Sequence, residues 1–126
     1  MTATINSVCA ALAEIRLTRA NMTEAEVEGV AADLLVKAGL PVRRQRSLDR
    51  QNRVDLFVGT DPGIVIEVKL GRPSRWAIEH QCGRYLNFPS VAGAVILVER
   101  TVDVRRIMNG KPVRVVSTNA AWGIAP

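Results

Sequence analysis

Histidine occurs once in this chain, and cysteine twice, at Cys9 and Cys82. Two thiols far apart in sequence, with no metal-ligand spacing around them, exclude a disulfide framework and a zinc cluster. Reduced cysteines of a cytoplasmic protein are expected. His80 has no Ser, Asp or Cys at a spacing that suggests a nucleophilic pair, so it reads as a surface or satisfied helix residue. Aromatic side chains make up only 4% of the chain, which leaves little material for stacking bases. Trp76 is expected to pack its helix on the sheet, with base stacking as the lesser alternative. Trp122 is expected either to anchor an interface or to pack on its own core. The longest apolar run, Val91 to Val98, is far too short to cross a bilayer. The first residues lack a basic stretch, and Glu14 and Arg16 interrupt their apolar pattern, so no secretory leader is expected. No repeat, low-complexity tract or linker is visible.

The chain does have enough apolar material for a real core. It has 126 residues, of which 48% are hydrophobic, so one folded domain is expected without covalent staples. The balance of charge is basic, with seventeen Lys and Arg against twelve acids and a net charge of +5. Arg43, Arg44, Arg46, Arg50 and Arg53 crowd into one stretch. Guanidinium forks suit phosphate oxygens, so the patch points to a nucleic acid ahead of a merely solvated loop.

Periodicity divides the chain into α and β elements. Ile5, Val8, Leu12 and Ile15 recur at helical spacing and predict a helix over 5–19. Thr23-Glu24-Ala25-Glu26 is a capping box that opens a second helix. Its core face holds Val27, Val30, Ala31, Leu34 and Leu35, and Gly39 and Pro41 end it. Val42 to Leu48 is a candidate strand. Arg53–Gly59 and Gly63–Leu70 then alternate around Thr60-Asp61-Pro62 as a hairpin. Residues 74–87 read as a third helix, opened by Pro73 and Ser74 and closed before Pro89. Val91 to Glu99 reads as a strand buried on both faces. Val104 to Met108 is expected to form a short helix ended by Asn109-Gly110, and Pro112 to Thr118 a last strand. The order implies an α/β fold with a mixed sheet in two or three layers. Residues 1–20 would be a helical extension, 23–118 the core and 119–126 a tail.

The chemistry lies in the hairpin. Strand alternation puts Val54, Leu56 and Val58 on one face, and Ile64, Ile66, Val68 and Leu70 on one face. Asp55, Glu67 and Lys69 fall on the other. A turn centred on Asp61 sets Asp55 directly across from Glu67, an arrangement that like charges disfavour. Two carboxylates with an ammonium beside them suit a divalent cation, and the Val68 carbonyl can add a third oxygen. Mg²⁺ or Mn²⁺ held there would activate water against a phosphodiester, with Lys69 positioning the nucleophile or offsetting charge on the phosphate.

Asp55 followed by Glu67-Val68-Lys69 resembles the PD-(D/E)xK nuclease superfamily. The resemblance spans roughly residues 23–99 and includes two further elements. One is a glutamate on the preceding helix, for which Glu28 is the first candidate and Glu24 the second. The other is a Gln-x-x-x-Tyr element on the helix after the lysine strand, here Gln81-Cys82-Gly83-Arg84-Tyr85. The likeness is greatest to small stand-alone enzymes: Holliday-junction resolvases, VRR-NUC nucleases and their phage relatives. The family's proline before the aspartate is Val54 here, and no lysine or serine beside Asp55 marks a resolvase. The resemblance implies a restriction-endonuclease-like fold, a central mixed sheet flanked by helices. It implies a Mg²⁺- or Mn²⁺-dependent DNA endonuclease acting on branched or duplex DNA in recombination or repair, with RNA also possible as substrate. Asp55, Glu67, Val68 and Glu28 or Glu24 would hold the metal, Lys69 would assist, and Gln81 and Tyr85 would support the site. Arg43, Arg44, Arg46, Arg50, Arg53 and Arg84 would contact the nucleic acid. A homodimer is expected, since junctions are two-fold symmetric. The rival readings are a catalytically silent nucleic-acid-binding or assembly subunit, and an exonuclease.

Overall fold

The computed structural model of the protein describes residues 3–15 and 21–118. Two helices come first, α1 (Ile5–Leu12) and α2 (Glu24–Lys37). Three strands follow, β1 (Val42–Ser47), β2 (Arg53–Val58) and β3 (Gly63–Lys69). Then come α3 (Arg75–Tyr85), β4 (Val91–Val98), β5 (Ile107–Met108) and β6 (Lys111–Ser117). The strands form one mixed six-stranded sheet in the order β1-β2-β3-β4-β6-β5. β1, β2 and β3 run antiparallel in turn, β4 lies parallel to both β3 and β6, and β5 is antiparallel to β6.

Helices cover both faces of this sheet. α1 and α2 bury Val8, Leu12, Val27, Ala31 and Leu35 against Leu56, Val58, Ile64, Ile66, Val68, Val95 and Leu97. On the other face, α3 sets Ile78, Cys82 and Tyr85 against Phe57, Val65, Ala94, Ile96 and Val98. β4 lies between two parallel neighbours and has core on both sides, as its near-continuous apolar run requires. No helix of the described residues is long and apolar enough to cross a membrane.

Local chemistry sets the ends of the helices. The Thr23 hydroxyl accepts from the Glu26 N–H at 3.1 Å, and the Glu26 carboxylate accepts from the Thr23 N–H at 2.9 Å. Glu26 is thereby used as a cap. Ser74 caps α3 by accepting from the Ala77 N–H at 2.9 Å. α1 ends at Leu12, with Ala13 as its cap. The last residues of the helix expected over 5–19 and the Trp122 tail lie outside the described residues.

Three expectations are corrected. Val104 to Met108 does not form a helix: Ile107 and Met108 are a strand paired with Pro112 and Lys111. Asn109 and Gly110 both take positive φ, 52° and 73°. That is the backbone of a two-residue hairpin, for which Asn-Gly is the preferred sequence. Val54 does not share a face with Leu56 and Val58 but packs with Phe57, Ile78 and Tyr85. Alternation breaks because the β1–β2 ladder pairs Arg44 with Leu56 and Arg46 with Val54, leaving out Gln45 and Asp55. Gln45 there has φ 51°. Finally, Trp76 does not pack on the sheet; it is 72% exposed.

Two glycines make opposite predictions. A Cβ on Gly63 would sit 2.6 Å from both the Phe57 ring and the Val58 carbonyl oxygen. Gly63→Ala is expected to destabilise the protein by about 2 kcal/mol or more, through overpacking. A Cβ on Gly83, inside α3, would meet nothing within 4 Å. Gly83→Ala should stabilise by about 1 kcal/mol through helix propensity. Urea unfolding midpoints that move in the same direction for both variants would contradict this packing.

Candidate active site

The hairpin ladder between β2 and β3 runs through Val58–Ile64, Phe57–Val65 and Leu56–Ile66. One step further it gives way to side chains. The Asp55 N–H donates to Glu67 Oε1 at 3.0 Å, and the Val68 N–H donates to Asp55 Oδ2 at 2.8 Å. Each carboxyl group thus takes a backbone donor from the opposite strand. This is the cross-strand meeting expected from a turn centred on Asp61. Val68 enters the site through its N–H, as a donor that holds Asp55.

Glu67 is the more deeply buried member of the pair. It is only 4% exposed. Burial, and next the negative charge of Asp55, push its carboxyl group up to about 8, against which the Asp55 N–H and Lys69 act. A hydrogen bond between the two side chains adds to the upward push. Lys69 is half-buried two residues on and lines a cleft of about 390 Å³ with Trp76, His80, Gln81 and Arg84.

α3 closes the site from its own face of the sheet. Gln81 Nε2 donates to the Tyr85 hydroxyl at 2.9 Å, and that hydroxyl donates to the Arg53 carbonyl at 3.1 Å. The i, i+4 spacing seen in the sequence makes this relay possible. It fixes β2 two residues before Asp55. Burial, and next the charge of Glu67, push the Tyr85 hydroxyl up to about 12 and the Cys82 thiol likewise to about 12. Tyr85 therefore keeps its proton and serves as a donor.

The two helix glutamates have different tasks. Glu24 Oε2 accepts from the Leu70 N–H at 3.0 Å, tying the start of α2 to the end of the lysine strand. Glu28 is buried at 4% exposure and accepts from Arg44 Nε at 3.1 Å. Both its oxygens also accept from Gln45 Nε2, at 3.1 and 3.0 Å. Among the described residues, no group of three or more His, Cys, Asp and Glu side chains is placed to hold a metal ion. The protein oxygens gathered at the carboxyl pair come from Asp55 and Glu67. That donor set fits Mg²⁺ or Mn²⁺, which bind through one or two carboxylates and complete their shells with water and phosphate.

The arginine patch divides. Arg43, Arg50, Arg53 and Arg84 are exposed, with Arg84 Nε donating to Asn52 Oδ1 at 3.3 Å. Arg44 is held by Glu28 and the Ala25 carbonyl. Arg46 lies 4.1 Å over the Phe57 ring and 3.5 Å from Asp61. Gln45 is the residue that sequence reasoning missed. The Asp49–Asn52 turn does set a register that places residue 45 across from residue 55, so the signal was present in the loop length. His80 is exposed as expected, but it stacks on Trp76 with ring centroids 4.9 Å apart.

The Glu67 environment sets a pH dependence of stability in metal-free buffer. The folded protein keeps the Glu67 proton to about pH 8, whereas the ordinary value is 4.5. Between these, the unfolded chain loses a proton that the folded chain retains. Stability therefore falls as pH rises through that window, by at most roughly 1.4 kcal/mol per pH unit. Glu67→Gln keeps the neutral shape and should flatten that fall, making the variant more stable than the parent near pH 8 in chelator. Denaturant midpoints measured across the window check this, and equal slopes for the two proteins would contradict it. No family model, no curated protein and no solved structure matches the chain, so what this site can do rests on its own geometry.

Proposed function

We propose that the protein is a metal-dependent nuclease that hydrolyses phosphodiester bonds in DNA, with a restriction-endonuclease-like arrangement of its α/β fold. The observation that carries this reading is the meeting of Asp55 and Glu67 where the hairpin ladder ends, with Lys69 two residues along the same strand. The two groups would repel if both were ionised, and a divalent cation held by them would offset that repulsion in place of the Glu67 proton. Such an ion supplies Lewis acidity toward phosphoryl oxygens and water.

The chain's own residues do the rest. Asp55 and Glu67 would hold the ion, and both are themselves held by backbone N–H groups. Lys69 lines the cleft, where its amino group can donate to a phosphate oxygen as charge grows there. The Gln81–Tyr85–Arg53 relay keeps β2 in place below Asp55. Glu28 acts through Arg44 and Gln45 to hold the positive-φ position of β1 across from Asp55, and Glu24 anchors the end of β3. Exposed Arg43, Arg50, Arg53 and Arg84 offer charge to the phosphate backbone. Branched DNA, presented to a two-fold homodimer, is the substrate class favoured within this reading.

A second reading is a silent DNA-binding or assembly subunit. The engagement of Glu28 with Arg44 and Gln45 favours it, because it leaves two carboxylates at the centre. Cleavage assays on branched, duplex and single-stranded DNA with Mg²⁺, Mn²⁺ or chelator separate the two. The nuclease reading expects cleavage that requires the ion. It also expects Asp55→Asn, Glu67→Gln and Lys69→Ala each to slow the reaction by about a hundredfold or more, with DNA affinity little changed. Full activity in any of these variants would contradict the assigned roles. Salt-sensitive binding without cleavage under every condition would favour the silent subunit.

A further inference from the structure

α3 places Trp76, His80 and Arg84 at i, i+4 and i+8, and all three are exposed. Trp76 and His80 stack nearly parallel, 8° apart. Trp76 is the most exposed large hydrophobic side chain among the described residues, and aromatic residues are only 4% of this chain. Both rings line the same cleft as Lys69 and Arg84. The only acid on α3, Glu79, is taken up by Arg75 at 3.2 Å and by the Arg105 N–H at 2.8 Å. The exposed face of α3 therefore combines a flat π surface with cationic side chains and no free carboxylate of its own.

From this we infer that the Trp76–His80 pair is a stacking platform for an unpaired nucleobase of a nucleic-acid strand whose phosphate lies beside Lys69. A base inside a duplex has both faces covered by its neighbours, so only a splayed, flipped or single-stranded base can present one to Trp76. Lys69 and Arg84 match the charge of the adjoining phosphates. The cleft, about 390 Å³, lies in the range that holds a ligand of nucleotide size. The inference deepens the nuclease reading and rests on it for the position of the phosphate. It narrows the substrate to nucleic acid with an unpaired nucleotide at or next to the cut: a flap, a frayed end, or the open centre of a branch. His80 pre-orders the indole, so little freedom is lost when a base arrives.

The test uses the full chain in chelator, where nothing is cut, and fluorescence anisotropy of labelled oligonucleotides. Trp76→Ala should weaken binding of a single strand roughly tenfold, while blunt duplex binding changes by less than about twofold. Trp76→Phe should recover most of the loss. In a Trp122→Phe background Trp76 is the sole indole, and its emission should be quenched by a single strand but not by the same strand made abasic. Wild-type single-strand affinity in Trp76→Ala would overturn the platform, as would quenching by the abasic strand. So would a Trp76→Ala variant that sediments as a smaller species, since the rings would then cover a second copy of the chain. Loss of cleavage in Lys69→Ala with no effect of Trp76→Ala removes the platform and leaves the nuclease reading standing. Trp76-dependent strand binding in a protein that never cleaves keeps the platform and removes the nuclease.

Discussion

A carboxylate buried beside another carboxylate has few ways to lower its free energy. It can keep a proton, gather hydrogen-bond donors, or hold a cation between itself and its neighbour. Asp55 and Glu67 already use the first two. Each takes an N–H from the opposite strand, and Glu67 keeps its proton well above the ordinary carboxylate range. Those N–H groups are taken from the strand pairing itself, so the hairpin ladder stops where the carboxyl groups begin. The end of β2–β3 pairing and the proton on Glu67 are two consequences of one crowded pair.

The surrounding elements hold that arrangement from both faces of the sheet. On one face, α2 fixes Gln45 through Glu28, and Gln45 is the β1 residue across from Asp55 with the unusual backbone. On the other, Tyr85 holds the Arg53 carbonyl just upstream of Asp55. Glu24 ties down the end of β3 just past Lys69. Each contact reaches a backbone or side-chain position within two or three residues of the pair. A polar centre built on the strands of a sheet, supported from both layers, is held more firmly than one placed on a loop. The cleft beside it, by contrast, is lined by Lys69 at the end of β3, by Pro73 and Ser74, and by one side of α3.

Much of this was legible in the chain because the signals were local. The capping box at Thr23, the hairpin around Asp61, the Gln81–Tyr85 spacing and the apolar run of β4 each depend on a few neighbouring residues. The meeting of Asp55 with Glu67 followed from one turn. What escaped was non-local or decided by competition. The Asn109-Gly110 pair suits a helix stop and a hairpin equally, and the pairing of β5 with β6 selects the hairpin. Arg44 and Arg46 looked like members of a free basic patch, but a glutamate on α2 and a phenylalanine on β2 claim them. The sequence does not tell which face of α3 carries Trp76: Ile78, Cys82 and Tyr85 fill the face toward the sheet and leave the indole outside.

The central claim is that the two hairpin carboxyl groups form one site shaped for a divalent cation. The most direct measurement is the anomalous difference density of Mn²⁺-soaked crystals at mildly alkaline pH. The account predicts a peak between the Asp55 and Glu67 carboxylates, with Lys69 beside it and Glu28 still on Gln45. Density showing these two side chains unchanged on their backbone N–H donors, with Mn²⁺ bound elsewhere or nowhere, would contradict it.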